Sequence, residues 1–306
     1  MCDLSYDFYD ETCPSIFDVV RTEMLSARAN DLRIPASLLR LHFHDCFVLG
    51  CDGSVLLDDT INFTGEKNAV PNKNSARGFG VIDKIKYVLE NKCPSTVSCA
   101  DILALAARDA VVLSYGPRWR VLLGRRDGRR ASFAEANDLP SPLDSIENIT
   151  YKFRLKGLDT NDVAALSGAH TIGLVQCRFF KERLYNFNNT GKPDPTLDPI
   201  LVKELQIICG CPNYTFDSNL SPLDRGTPIL FDNNYYTNVD TKRGILSSDH
   251  ALLNDDTISS LVNKYSQNQD LFFNDFVVSM EKMGRIGVLL GQQGEIRTNC
   301  SRINYY

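Results

Sequence analysis

The stretch Arg40-Leu-His-Phe-His-Asp-Cys-Phe-Val-Leu-Gly-Cys-Asp-Gly-Ser54 begins as a helix and cannot finish as one. On a helix Arg40 and His44 stand four residues apart on one face, with Phe43 beside them. Past that face the helical pattern stops, in a turn that contains Gly50 and Gly53. Through the turn Asp45, Asp52 and Ser54 offer hard oxygen ligands in the manner of a Ca²⁺ site. A cation and an imidazole suited to acid–base work, set beside a metal clamp, point to an enzyme.

At 306 residues the chain exceeds what one hydrophobic core serves, so two subdomains sharing a central cleft are expected. A net charge of −5 argues against nucleic acid and anionic membranes as partners. Apolar runs such as Ile102 to Ala107 are short, and none is long enough to span a bilayer. Ten cysteines point to oxidised pairs from a secretory compartment. The sequons headed by Asn62, Asn148, Asn188, Asn213, Asn219 and Asn299 agree with that. Asp3 and Asp7 sit where an apolar signal segment would run, so the chain reads as a mature form led by an added Met1.

Periodicity predicts mostly helix. Residues 14–29 carry Ile16, Val19, Val20 and Met24 at helical spacing. A second helix starts near Pro35 and runs to Phe47. Ser98 and Asp101 form a capping pair ahead of an apolar helix from Ile102 to Leu113. Thr160 is read as the cap of a helix that carries Val163, Leu166 and His170 and ends at Gly173. Two more helices fit residues 257–267 and 270–286. Val121-Leu-Leu and the stretch near Gly244 could give short strands, with β structure otherwise minimal. The boundary between halves is expected at Leu139-Pro-Ser-Pro-Leu143, giving residues 1–143 joined by 275–306, and 144–274. Asp101 and Arg125, charged in apolar contexts, read as a buried structural ion pair.

The four histidines separate by context. Small residues flank His170 in Leu166-Ser-Gly-Ala-His-Thr-Ile-Gly173 and leave room for something flat and large beside the imidazole. Thr171 opens a second run of oxygen donors, continued by Asp224, Thr227, Leu230 and Asp232. Asp249 is a candidate acceptor for the second ring nitrogen of His170. His42 and His44 point about 200° apart on a helix, so they cannot share a metal. His42 reads as structural and His250 as a surface residue.

Three of these segments, Arg40 to Ser54, Leu166 to Gly173 and the Asp-x-x-Thr-Pro run ending at Asp232, occur in the order found in class III secretory plant peroxidases. With eight cysteines in matching positions, the chain resembles that haem-containing family along essentially its whole length. The resemblance implies a two-domain helical haem peroxidase fold, with haem b between a distal and a proximal domain, and two Ca²⁺. It implies reduction of H₂O₂ to water through a ferryl intermediate, paired with one-electron oxidation of small phenolic donors.

Roles follow residue by residue as implications of the resemblance. His44 matches the distal acid–base group, Arg40 the distal cation, Phe43 the distal aromatic wall and Asn72 the residue that orients His44. Glu66 matches the link from Asn72 to the distal Ca²⁺, which would take Asp45, Val48, Gly50, Asp52 and Ser54. His170 matches the iron ligand and Asp249 its carboxylate partner. The proximal Ca²⁺ would take Thr171, Asp224, Thr227, Leu230 and Asp232. Arg33, Ser37, Ser75 and Gln176 match groups around the haem propionates; Pro140, Phe179 and Arg40 match the donor edge. Disulfides Cys13–Cys93, Cys46–Cys51, Cys99–Cys300 and Cys177–Cys209 are implied as well. Cys2 and Cys211 lie outside that framework and are expected to pair with each other.

The chain departs from the pattern at Leu223, where an aromatic is often found, and at Val70 and Leu143, where some relatives place phenylalanines. A catalytically inert calcium-binding glycoprotein would keep the aspartates but has no need for Arg40, His44 and Asn72 together. A zinc hydrolase would need three converging ligands, which the histidines do not supply. The expected protein is a secreted monomer of the cell wall or vacuole, free of nucleic acid and membrane.

Overall fold

The computed structural model describes residues 3–61, 63–211 and 216–304. The chain divides into two compact units, Met1–Leu139 with Met280–Tyr306, and Pro140–Ser279.

In the first unit α1 (Ile16–Asn30), α2 (Ile34–Phe47) and α3 (Phe79–Lys92) all pack on α4 (Cys99–Leu113). The sequence of α4 explains its central place. Ile102, Leu103, Leu105 and Val111 bury every face, while Ala100, Ala104, Ala106, Ala107 and Ala110 let neighbours come close. The Ser98 side chain accepts the Asp101 amide at 3.1 Å and starts the helix. Asp101 then pairs with Arg125 at 2.8 Å, both buried, as read from sequence. Tyr9 and the Gly124 amide donate to the other Asp101 oxygen, so the buried carboxylate is fully engaged. The short α5 (Phe133–Ala136) completes the helices of this stretch.

The second unit holds α6 (Ile146–Leu155), α7 (Thr160–Ser167), α8 (Lys181–Tyr185), α9 (Pro199–Cys209), α10 (Asn234–Asp240), α11 (Ser247–Ala251) and α12 (Asp256–Gln267). It also starts α13 (Gln269–Met283), whose last turn belongs to the first unit. β1 (Leu174–Gln176) pairs antiparallel with β2 (Leu220–Pro222), Val175 opposite Ser221. Phe231, Tyr236, Tyr265, Phe272 and Phe276 pack edge to face and tilted as its aromatic core.

Four local expectations change. Asp159, and not Thr160, caps α7, in a reciprocal pairing with Asp162. That helix also stops at Ser167, and His170 sits in a 3₁₀ turn, Gly168–Thr171. The Tyr236 hydroxyl donates to the Ala164 and Ala165 carbonyls, which a continuing helix would offer to residues 168 and 169. Val121-Leu-Leu makes only a bridge, Ser5 to Leu123, and no described residue near Gly244 is in a strand. The carbonyls of Gly244, Ile245 and Leu246, which a strand would pair, all accept from Arg183.

Four disulfides join Cys13 to Cys93, Cys46 to Cys51, Cys99 to Cys300 and Cys177 to Cys209. Cys211 is exposed and bonded to no described cysteine. Cys2 lies outside the described residues, as do the sequons' Asn62 and Asn213. Among the described residues no helix is long and apolar enough to cross a membrane.

Candidate active site

Each unit carries one histidine whose Nδ1 is locked by a side-chain partner. In the first unit α2 presents His44, 4% exposed, with Nδ1 only 2.5 Å from Asn72 Oδ1. The Asn72 amide nitrogen donates to the Glu66 carbonyl at 2.9 Å, which turns its oxygen toward the ring. An amide oxygen only accepts, so Nδ1 carries the proton and Nε2 keeps its lone pair. Burial, and then the Arg40 charge, hold the His44 pKa well below the usual imidazole value, against the pull of Asn72. His44 is therefore held in its neutral form. Phe43 stands edge-on to it at 5.6 Å.

Arg40 is anchored to the same segment that carries Asn72. It donates to the Pro71 carbonyl and to Ser75 Oγ, both at 2.7 Å. Ser75, matched to the haem carboxylates on sequence, thus meets Arg40 here. The Ser37 hydroxyl donates to the Arg33 carbonyl one turn back on α2. Pro71 as an acceptor had no signal in the sequence, because a backbone carbonyl leaves none.

Below His44 the chain buries three carboxyls, with the Arg297 charge acting on Asp52 from nearby. Asp45 accepts the Gly53 and Val55 amides, and Asp52 accepts the Ser54 amide. Burial, and then the charge of Asp52, push the Asp45 carboxyl well up; burial raises Asp52 too and takes Glu66 to about 7. No described cation forms an ion pair with any of the three. Ser54 Oγ and Glu66 Oε2 are buried with no hydrogen-bond partner. Buried carboxylates and orphaned oxygens of this kind are what a hard cation satisfies. Gly50 is fixed by geometry: its φ is +108°, and a Cβ would lie 2.6 Å from the Gly287 carbonyl oxygen. His42, Cys46 and Cys51 also converge, but both sulfurs are spent in a disulfide, so the cluster cannot hold zinc.

In the second unit the His170 side chain is 38% exposed, and its Nδ1 lies 2.8 Å from Asp249 Oδ1. Asp249 is 3% exposed; its Oδ2 accepts the Leu246 amide and its Oδ1 also accepts Tyr235 Oη, each at 3.0 Å. Burial and the Asp249 charge keep the Tyr235 hydroxyl well above the usual phenol range. Arg183 fixes the backbone ahead of Asp249, donating from Nη1 to three successive carbonyls while its Nε meets Asp194 at 2.8 Å. Neither Tyr235 nor Arg183 was legible as part of the site, since 14 and 66 residues separate them from Asp249 without a periodic pattern. Thr171 Oγ1 meets Asp232 Oδ1 at 3.1 Å and the Leu230 carbonyl at 3.5 Å. Thr227 Oγ1 meets Asp224 Oδ2 at 3.2 Å, and Asp224 further accepts from Asn234 and Asn238. The Leu230 amide donates to the Thr227 carbonyl at 3.0 Å, and Asn234 donates to both Asp224 and Asp232, so the five expected donors are linked in one cluster. Gln176 lies on β1, Phe179 sits under the Arg178 guanidinium at 4.6 Å, and Pro140 is half-buried. His250 is half-buried, not a surface residue; burial and the nearby Arg183 lower its pKa.

The peroxidase family model matches residues 20–268. The chain belongs to the peroxidase family. Relatives include "Peroxidase 10" of Arabidopsis thaliana, 54% identical over 97% of this chain and 85% of that protein. "Peroxidase 15" of Ipomoea batatas is 52% identical over 98% of this chain and 93% of its own length. "Peroxidase N" of Armoracia rusticana is 50% identical over 98% and 91%. This peroxidase is an oxidoreductase that uses haem iron, with H₂O₂ and an electron donor as substrates. The donor set fits the cofactor. His170 has its Nδ1 held by a carboxylate and flanking Gly168, Ala169 and Gly173, which leaves Nε2 for a metal.

Proposed function

We propose that this peroxidase oxidises small phenolic donors one electron at a time, with His44 as its acid–base group and His170 as its iron ligand. The observation that carries the reading is the His44–Asn72 hydrogen bond, which leaves a neutral Nε2 in a buried setting. Nε2 takes a proton from one peroxide oxygen and delivers it to the other, which leaves as water. Arg40, always charged, stabilises the negative charge that develops as the O–O bond breaks. Asn72 keeps the His44 tautomer fixed, and Phe43 limits what reaches it. Haem, when bound, would hold the two oxidising equivalents that peroxide supplies, and two donors would each return one electron. His170 would hold it through Nε2, with Asp249 making the imidazole more electron-donating. Arg33, Ser37, Ser75 and Gln176 are assigned to the haem carboxylates, and Pro140, Phe179 and Arg40 to the phenol.

Two Ca²⁺ belong to the same proposal. Buried Asp45 and Asp52, with Ser54, Val48 and Gly50, would take one, and Glu66, whose Oε2 is orphaned, would link it to Asn72. Thr171, Asp224, Thr227, Leu230 and Asp232 would take the other. Disulfides and sequons support a secreted monomer of the cell wall or vacuole, without membrane or nucleic-acid partners, with Cys2 bonded to Cys211.

His44→Ala should slow the reaction with H₂O₂ by at least ~10²–10⁴-fold while haem absorbance stays intact. Arg40→Leu should cost less, since proton transfer survives. Stopped-flow spectra decide it, and a near-native His44→Ala rate refutes the assignment; a panel of phenols then tests the donor class. Chelation should perturb the ferric spectrum and lower activity, with partial return on adding Ca²⁺. Active enzyme free of calcium by elemental analysis would remove both metal sites.

A further inference from the structure

Asp249 Oδ1 serves two donors. His170 Nδ1–H reaches it at 2.8 Å and the Tyr235 hydroxyl at 3.0 Å. Tyr235 stands on α10, 2% exposed, with its ring edge-on to His170 at 5.9 Å. Hydrogen bonds to an ionised carboxylate in dry surroundings are strong, and they polarise one another. Charge that Tyr235 draws from Oδ1 is therefore not available to the imidazole N–H. A tyrosine this buried needs an acceptor for its hydroxyl, and the acceptor that this packing supplies is the same oxygen that holds His170.

The carboxylate cannot turn away to escape the competition. Its Oδ2 accepts the Leu246 amide at 3.0 Å, and the Leu246 carbonyl, with those of Gly244 and Ile245, is gripped by buried Arg183. Deleting the Tyr235 hydroxyl should then leave Asp249 in place and alter only the charge it offers to His170.

We propose that Tyr235 is a positioning residue that, through Asp249, sets how strongly His170 donates electrons to the haem iron, and so the balance between ferric and ferrous enzyme. Tyr235 moderates the push that Asp249 alone would give. This rests on the assignment of His170 as iron ligand.

Tyr235→Phe keeps the ring and removes the donor. In the haem-loaded variant the one-electron reduction equilibrium should move toward ferric by roughly tenfold, about 59 mV in midpoint potential. The iron–histidine stretch in resonance Raman spectra of the ferrous enzyme should rise. Asp249→Asn, which removes the acceptor charge, should move both quantities the opposite way. Wild-type values of potential and stretch in Tyr235→Phe overturn the proposal and leave the ligand assignment standing. A wild-type enzyme without any iron–histidine band overturns the ligand assignment itself, and the proposal with it. If Tyr235→Phe fails to retain haem, the wild-type enzyme answers instead. In its cyanide-ligated ferric form the Tyr235 hydroxyl proton should exchange slowly and show an Overhauser contact to His170 Nδ1–H. A fast-exchanging hydroxyl without that contact overturns the proposal.

Discussion

His42 and His44 sit two residues apart on α2 and are both buried, yet they have opposite neighbours. His44 has Asn72 to orient it. His42 has a disulfide sulfur at 3.6 Å and no carboxylate, and burial followed by the Arg125 charge lowers its pKa to about 3. The folded chain thus refuses a proton that the unfolded chain accepts near 6.5. Its contribution to stability is full above pH 6.5 and is lost as pH falls toward about 3, with a slope approaching ~1.4 kcal/mol per pH unit. His42→Leu should abolish that component, narrowing the stability difference between pH 6.5 and 4.5 by roughly 2–3 kcal/mol against wild type. Urea unfolding at the two pH values measures it; equal differences in the two proteins would show that His42 titrates normally.

Turns hold this molecule's chemistry to its helices, and their demands differ in how visible they are. Gly50 was legible as a turn residue, but its constraint comes from Gly287, 237 residues away, whose backbone occupies the space of a Cβ. Gly50→Ala adds a left-handed φ to a clash with main chain, neither of which can relax through a side chain. We expect a loss of at least ~1–3 kcal/mol, seen as a lower thermal midpoint. An unchanged midpoint would mean that the two backbones part easily. Legibility followed range throughout. The starts of α2 and α4 were readable because Pro35 and Ser98 act within one turn, although the Asp101 carboxylate, expected to complete the cap, turns to Tyr9, Gly124 and Arg125 instead. The premature end of α7 was not, because Tyr236 reaches it from 72 residues along the chain. The acid–base and oxygen-donor residues stood out by type and spacing, and the resemblance supplied their roles. What orients them, the Pro71 carbonyl, Leu246 amide, Tyr235 and Arg183, is set by packing and had no local signature.

The first unit is assembled from both ends of the chain, and one covalent bond spans nearly all of what lies between. Cys99–Cys300 closes a separation of 201 residues. In the chain-entropy view such a loop is worth roughly 5 kcal/mol, so replacing both cysteines with serine should cost ~2–5 kcal/mol in denaturant unfolding. A smaller loss would indicate that Asp127, which accepts the Arg297 amide and bridges to Glu295, holds the C-terminal segment unaided.

That arrangement also bears on how the chain comes off the ribosome. Synthesis runs from the N-terminus, and domains ordinarily fold as they emerge. Here Cys99 is made early, and its partner is among the last residues to appear. Until then the Asp127 carboxylate lacks the Arg297 amide, and the Gly53 and Gly128 carbonyls lack the Arg297 guanidinium. The first half made is therefore the last half finished, and Cys99 must wait as a free thiol beside Cys13, Cys46, Cys51 and Cys93, which can already pair. A nascent chain of this design leaves Cys99 open to premature bonding for as long as Cys300 is still to be made.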